Sequence, residues 1–272
     1  MKTRLALVSI LTVILQSAAT FAKAPSTTGN PAVDSLVIQG RNLVDSGYAE
    51  WKKEAMLRGN ALLQRAGVLK PEDRFVEYYL AYAGYRLMTY GMATKQDDVY
   101  KEFADQAEKR AEALNDKYPN WSEPKVLLAG IYGIEIAESW MSGPTLGPKS
   151  GELVEKALAM DSTNPRAYMI LGTSKFNTPG IFGGSVDKAV EYFRKAVSLY
   201  EAVGNEWQES LEPSWGYIDA LTWLGLAYEK QDHYSDALAV YRKALQTYPD
   251  YARAKYVLIP ELEKKISPAN NR

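Results

Sequence analysis

The chain of 272 residues contains no cysteine. That excludes a disulfide framework, a thiolate metal site, a cysteine nucleophile and the lipid-bearing cysteine of a bacterial lipoprotein. Histidine is nearly as scarce. His233 is the only one, so a zinc site of the usual kind lacks its second imidazole. Neither a Walker-type phosphate loop nor a Gly-x-Ser-x-Gly elbow occurs. Charge is balanced, with 32 Lys and Arg against 33 Asp and Glu, and gives no basic field for nucleic acid. The alternating pattern of a half-buried strand is also missing. These absences lead to an expectation of no catalysis, no cofactor and no metal.

Hydrophobic residues make up 46% of the chain and charged ones 24%, enough for a sizeable core. Residues 1–22 stand apart. Lys2 and Arg4 open them, Leu5 to Leu15 is apolar, and Thr20-Phe21-Ala22 ends them on small residues around one aromatic. This is the layout of a secretory signal peptide cleaved after Ala22, and the apolar run is far short of the ~20 residues that span a bilayer. Removing it takes away Lys2 and Arg4 and moves the formal charge from −1 to −3. Residues 23–30, rich in Pro, Ser, Thr and Gly, read as a flexible leader. An exported, cysteine-free helical chain points to the periplasm or secretion, with no membrane span once the signal is gone.

From residue 31 to 272 the pattern is helical and reads as a single domain. Helix punctuation recurs at Lys70-Pro71-Glu72-Asp73, Tyr118-Pro119-Asn120, Asp161 to Pro165 and Tyr248-Pro249-Asp250. One glycine marks each unit: Gly40, Gly84, Gly130, Gly172 and Gly225, at spacings of 44, 46, 42 and 53 residues. A small residue is required where two antiparallel helices cross, because a side chain there would hold the backbones apart. The partners on the second helices are Ala107, Ala111 and Leu114 for Gly84, Val154 and Ala157 for Gly130, and Ala189, Phe193 and Ala196 for Gly172. The first unit is degenerate, with Gly47 at its turn and Lys52 where a small residue is expected.

The last unit is the clearest: Leu224-Gly225-x-x-Tyr228, then Ala237-x-x-x-Tyr241-x-x-Ala244, then Pro249. On these residues the chain resembles the tetratricopeptide repeat (TPR) superfamily, whose unit is about 34 residues long. The resemblance is strongest over 219–249, fair over 164–200 and faint before that. It implies an all-α, right-handed superhelix of about four to five antiparallel helix pairs. In broad layout the chain is also similar to periplasmic TPR-like proteins associated with TRAP transporters, on its long irregular repeats, its Pro179-x-x-Phe182-Gly183-Gly184 loop and its export signal. Those relatives are commonly lipoproteins, and this chain has no cysteine to carry a lipid.

The TPR resemblance places the first helix of each pair on a concave groove. Carried over residue by residue, the groove takes Tyr78, Tyr85 and Met88; Leu127, Ile131, Ile134 and Glu135; Met169, Thr173 and Phe176; and Asp219, Leu226 and Glu229. Such an apolar and aromatic surface marks a binding site if it is exposed and plain core if neighbouring helices close over it. Two insertions fall at equivalent places, Ser139 to Pro148 and Asn177 to Ser185. They should project from one edge of the superhelix. Trp140, Met141, Leu146, Ile181 and Phe182 are expected to pack on each other as a lid over one end of the groove. Within the second insertion, Gly183 and Gly184 are expected to make a tight entry and Ser185 to cap the next helix, with Ile181 and Phe182 tucked in.

Other candidates are bland. Glu135 and Glu138, at i and i+3, suit paired acid chemistry but also any solvated helix face. Glu212-Pro213-Ser214-Trp215-Gly216 is expected to begin the helix of the last unit, with Trp215 anchoring it to the previous one. The leading expectation is a non-catalytic periplasmic binding or scaffold protein that takes a partner-protein segment into the groove. The alternative is a small-ligand-binding component of a periplasmic transport system.

Overall fold

A computed structural model describes residues 26–203 and 210–267. The expected signal peptide lies outside the described residues, as do the start of the leader and residues 268–272. Among the described residues eleven α-helices follow one another: α1 Pro31–Ala49, α2 Lys53–Leu69, α3 Arg74–Thr94, α4 Asp97–Lys117, α5 Ser122–Glu138, α6 Gly143–Met160, α7 Pro165–Asn177, α8 Val186–Val203, α9 Tyr217–Lys230, α10 Tyr234–Thr247 and α11 Ile259–Ile266. They pack as five antiparallel pairs, α1/α2 to α9/α10, and α11 closes the end against α10. The odd-numbered helices α1 to α9 also touch in sequence and form one continuous inner layer. The result is an all-α superhelix of the expected kind.

The punctuation residues do what their chemistry predicts. Asn30 caps α1 by accepting from the Ala32 amide at 3.0 Å, Asp73 caps α3 through the Phe75 amide at 3.0 Å, and Asn164 caps α7 through the Ala167 amide at 3.2 Å. Pro31 and Pro165 stand at the first turn of their helices, where no amide is needed.

The crossings are equally legible. A methyl on Gly225 would fall on the Tyr241 ring, and one on Gly172 on the Phe193 ring. A methyl on Gly84 would lie 2.9 Å from Cβ of Ala107. The first pair is genuine too. Gly40 crosses α2 at Gly59 and Leu63, while Lys52 only precedes the helix.

Gly130 departs from its expected role. A methyl there would meet Ile170 of α7 and Tyr85 of α3, not the second helix of its own pair. Ala129, fully buried and accepting from Ser150 Oγ at 3.1 Å, sits at the α5/α6 crossing. The register of this unit is therefore one residue earlier than its glycine suggests.

The leader also differs from expectation at its end. Ser26 O accepts from the Leu211 amide at 3.0 Å, Ser26 Oγ donates to Glu212 at 2.6 Å, and Thr28 is buried against Asp34. The end of the leader is thus tied down against Leu211 and Glu212 and against the start of α1.

Candidate functional site

With the α5 register corrected, four inner-layer residues fall at one repeat position. Tyr78, Glu123, Arg166 and Asp219 each stand six residues before the small residue of their crossing, at 84, 129, 172 and 225. Their side chains line the inside of the superhelix as a buried polar ladder. Glu123 accepts from Arg166 through Nε at 2.8 Å and Nη2 at 2.7 Å, and from Asn164 Nδ2 at 2.6 Å. Asp219 accepts from Arg86 at 2.7 and 3.2 Å and from the Tyr48 hydroxyl at 3.0 Å. Arg86 Nε donates to the Tyr82 hydroxyl at 2.8 Å, and Tyr82 donates in turn to Asp45. The Arg86 guanidinium also lies over the Tyr48 ring at 4.0 Å.

Burial opposes the Arg86 charge, yet Asp219, Tyr82 and Tyr48 outweigh it and hold its pKa above the usual value. Burial pushes the Asp45 carboxyl up, against the pull of its Tyr82 hydrogen bond and of Arg86. Sequence reading missed Glu123, Arg166 and Arg86. The six-residue offset from Gly172 could have found Arg166, but from Gly130 it gives Pro124 and misses Glu123.

The space inside this ladder is occupied by the chain itself. The segment Ser210–Gly216 does not begin a helix as expected. It is irregular, with a bend at Glu212, as far as Gly216, whose φ of +108° favours glycine, and α9 starts at Tyr217. Leu211 and Trp215 are 1% and 4% exposed. The Trp215 ring stacks on Tyr82 with centroids 5.4 Å apart, and its indole N–H donates to Tyr78 at 2.8 Å. The Trp215 side chain therefore reaches across to α3, while its carbonyl accepts from Tyr200 of the preceding helix α8 at 2.8 Å. A cavity of about 50 Å³ remains, bordered by Asp45, Tyr48, Arg86, Trp215 and Tyr248. That is water-sized, far below the ~300 Å³ at which drug-sized pockets begin.

The expected groove residues divide accordingly. Tyr78, Tyr85, Met88, Leu127, Ile131 and Met169 are buried core, not free surface, because the inner helices and the 210–216 segment cover them. Ile134, Glu135, Thr173, Phe176, Leu226 and Glu229 are partly buried. Phe176 packs edge-on against Trp223, and Glu229 accepts from Tyr241 at 2.7 Å and pairs with Lys265. Glu135 faces Glu108 and Glu112 of α4. Burial, then repulsion from these two, pushes its pKa up to about 7. Glu138, its expected partner, is exposed.

The two insertions behave differently from expectation. Only Trp140–Ser142 is a separate 3₁₀ turn, and Gly143 to Pro148 already belong to α6. Gly180–Phe182 is a second 3₁₀ turn. The tight entry is as read: Gly183 has φ +88°, a methyl on Gly184 would collide with the Thr178 carbonyl, and Ser185 Oγ caps α8. The apolar residues do not tuck in. Trp140, Met141, Ile181 and Phe182 are 81, 73, 87 and 75% exposed, and only Leu146 packs on the core. All four stand on turns between the two helices of a pair, hence on one edge of the superhelix. His233, also exposed, lies on the equivalent α9–α10 turn, which is tied to the neighbouring repeat by Gln231 donating to Asp187 at 2.6 Å.

Among the described residues no group of three or more His, Asp or Glu is placed to hold a metal ion. None of their helices is long and apolar enough to cross a membrane.

Stacked helix pairs, small-residue crossings and one continuous inner layer define a helical-repeat protein of the tetratricopeptide type, a fold generally used as a scaffold for interactions. Residues 218–251 match the tetratricopeptide repeat family itself. Among solved structures the chain is similar to the HusA haemophore from Porphyromonas gingivalis, at 25% identity over 74% of this chain and 94% of that one, with a TM-score of 0.59. It is also similar to TTC0263, a thermophilic TPR protein of Thermus thermophilus, at 17% identity over 86% and 96% of the two chains, with a TM-score of 0.56. A search of curated proteins by sequence gave no match.

Proposed function

We propose that this is an exported, non-catalytic binding protein that captures a flat apolar ligand of the haem class on its loop edge. The observation that carries the reading is the exposure of Trp140, Met141, Ile181 and Phe182 on two turns of consecutive repeats. Large apolar side chains kept in water on one edge mark a binding surface, and aromatic faces suit a planar ring. Neither 3₁₀ turn carries a carboxylate that would repel an acidic ligand. Lys175, which donates to the Gly183 carbonyl at 3.0 Å, stands beside the second turn, while the exposed Glu138 precedes the first. The likeness to a haemophore supports this ligand class. Export rests on the signal-like residues 1–22, and the periplasm is the compartment we assign.

The test is titration of the purified protein with haem and, separately, with iron-free protoporphyrin, followed by absorbance. Saturable binding of both is expected if the ring faces are what is recognised. The Trp140→Ala/Phe182→Ala double variant should then bind at least about tenfold more weakly with unchanged helicity. Binding of haem alone, lost in His233→Ala or Met141→Ala, would instead assign recognition to the iron. If neither porphyrin binds, the haem reading fails.

A second reading remains, because the repeat fold is one generally used for protein partners. In it the same exposed edge docks a partner-protein segment, and affinity capture without any porphyrin binding would favour it. A small-ligand component of a transport system is the form the first reading takes if the protein hands its ligand on.

A further inference from the structure

The segment Ser210–Gly216 lies on the inner face as a bound peptide would. Leu211, Pro213 and Trp215 are buried while Glu212, at a bend, and Ser214 are partly exposed, so alternate side chains read one wall. Two inner helices, α1 and α3, and the outer helix α8 grip its backbone. Arg41 Nη1 donates to the Ser210 carbonyl at 2.8 Å, and the Tyr79 hydroxyl donates to the Glu212 carbonyl at 3.2 Å. The Tyr200 hydroxyl donates to the Trp215 carbonyl at 2.8 Å. Backbone hydrogen bonds combined with pockets for alternate side chains are how extended peptides are recognised. Arg41 and Tyr79 come from the first two helix pairs, far from this segment in the chain.

The wall does not need the segment to stay intact. Arg86 pairs with Asp219, and Arg166 with Glu123, from helix to helix. Withdrawing residues 210–216 would orphan none of these four buried charges, and Arg41, though losing Ser210, would keep its bond to the Tyr79 hydroxyl at 3.2 Å, so the site is preformed. Its occupant contributes mainly the burial of Leu211 and Trp215 and a few hydrogen bonds to backbone carbonyls.

We propose that the inner face is a recognition site for a segment of the pattern Leu-x-Pro-x-Trp, held in cis by residues 210–216 and exchangeable for a partner's segment of the same chemistry. The cis occupant keeps the site shut and sets the affinity a partner must exceed. This site is separate from the loop edge and does not rest on the haem reading.

The test uses a fluorescein-labelled peptide with the sequence of residues 210–217, titrated into the wild-type protein and into Leu211→Ala/Trp215→Ala. Saturable binding to the variant, at least about tenfold tighter than to the wild type, is expected, and a peptide with alanine in place of tryptophan should not bind. No binding by a variant with wild-type helicity overturns the proposal, as does equal binding to both proteins. If the variant does not fold, hydrogen exchange of the wild type decides. The Leu211 amide, bonded to Ser26 O, should exchange at least about a hundredfold faster than amides in the middle of α3. Exchange of both at one rate, through global unfolding only, overturns it.

Discussion

Arg86 of α3 and Asp219 of α9 form a two-pronged ion pair at 2.7 and 3.2 Å across 133 residues of chain. Both side chains are removed from water, so each depends on the other for compensation. Asp219→Ala should therefore destabilise the protein by about 3–5 kcal/mol, because it leaves Arg86 buried without its counter-charge. Adding Arg86→Met should recover much of that loss. Urea unfolding of the three variants measures the coupling, and a double variant less stable than Asp219→Ala would show that the two residues do not act as one unit.

Gly225 and Gly130 predict opposite responses to a methyl group. Gly225→Ala should cost about 1–3 kcal/mol, since its Cβ would fall on the Tyr241 ring. Gly130→Ala meets the Cδ1 end of Ile170 at 3.3 Å and the Tyr85 ring at an ordinary 3.6 Å, and gains helix propensity of about 1 kcal/mol. It should be neutral or stabilising. Thermal unfolding of the two variants separates the crossing position from the inner-face position.

The Glu135 carboxyl carries a pH dependence of definite sign. Its pKa rises from 4.5 to about 7 in the folded state, by burial and by Glu108 and Glu112. The folded protein thus holds this proton more firmly than the unfolded chain does. This contribution to stability is fully present below about pH 4.5, falls as pH rises towards about 7, and is constant above. Glu108, also raised by burial and by Glu112, adds to the same trend. Glu135→Gln should flatten the profile of melting temperature against pH between 4.5 and 7. A variant with the same slope as the wild type would assign the trend elsewhere.

The exposed turns predict variants that hardly change stability. Trp140→Ala and Phe182→Ala should each alter it by less than about 0.5 kcal/mol, because these side chains pack on little. Trp215→Ala should cost about 3–5 kcal/mol, as the loss of a buried aromatic. Calorimetry of the three variants orders them.

The fold could be read from the sequence because its determinants are local. Gly225 with Tyr241, Asn164 before Pro165, and Ser185 before α8 are short-range rules of crossing and capping. The site was less legible because its determinants are not local. Tyr78, Tyr85 and Met88 belong to the inner layer by their repeat position, but nothing nearby in sequence says that Trp215 will lie against them. Gly130 misleads by one residue, since Ala129 serves a crossing as well as glycine does, and that shift hides Glu123. The turn residues do stand on insertions. Their apolar character suggests packing, yet a turn of three residues is too short to fold Trp140 or Phe182 back onto the helices.

The contacts from Ser26 to Leu211, from Arg41 to Ser210 and from Tyr48 to Asp219 give the chain a timetable. In an open array of repeats each unit can settle on its neighbour as it emerges, and the end that is made first can finish first. Here the first helix pair cannot complete its bonds until more than 170 residues have been supplied, as the 171-residue separation of Tyr48 and Asp219 requires. A chain stopped before α9 would leave Arg86 without Asp219 and Tyr48 without its acceptor. The polar interior thereby distinguishes a finished molecule from one that merely has most of its helices.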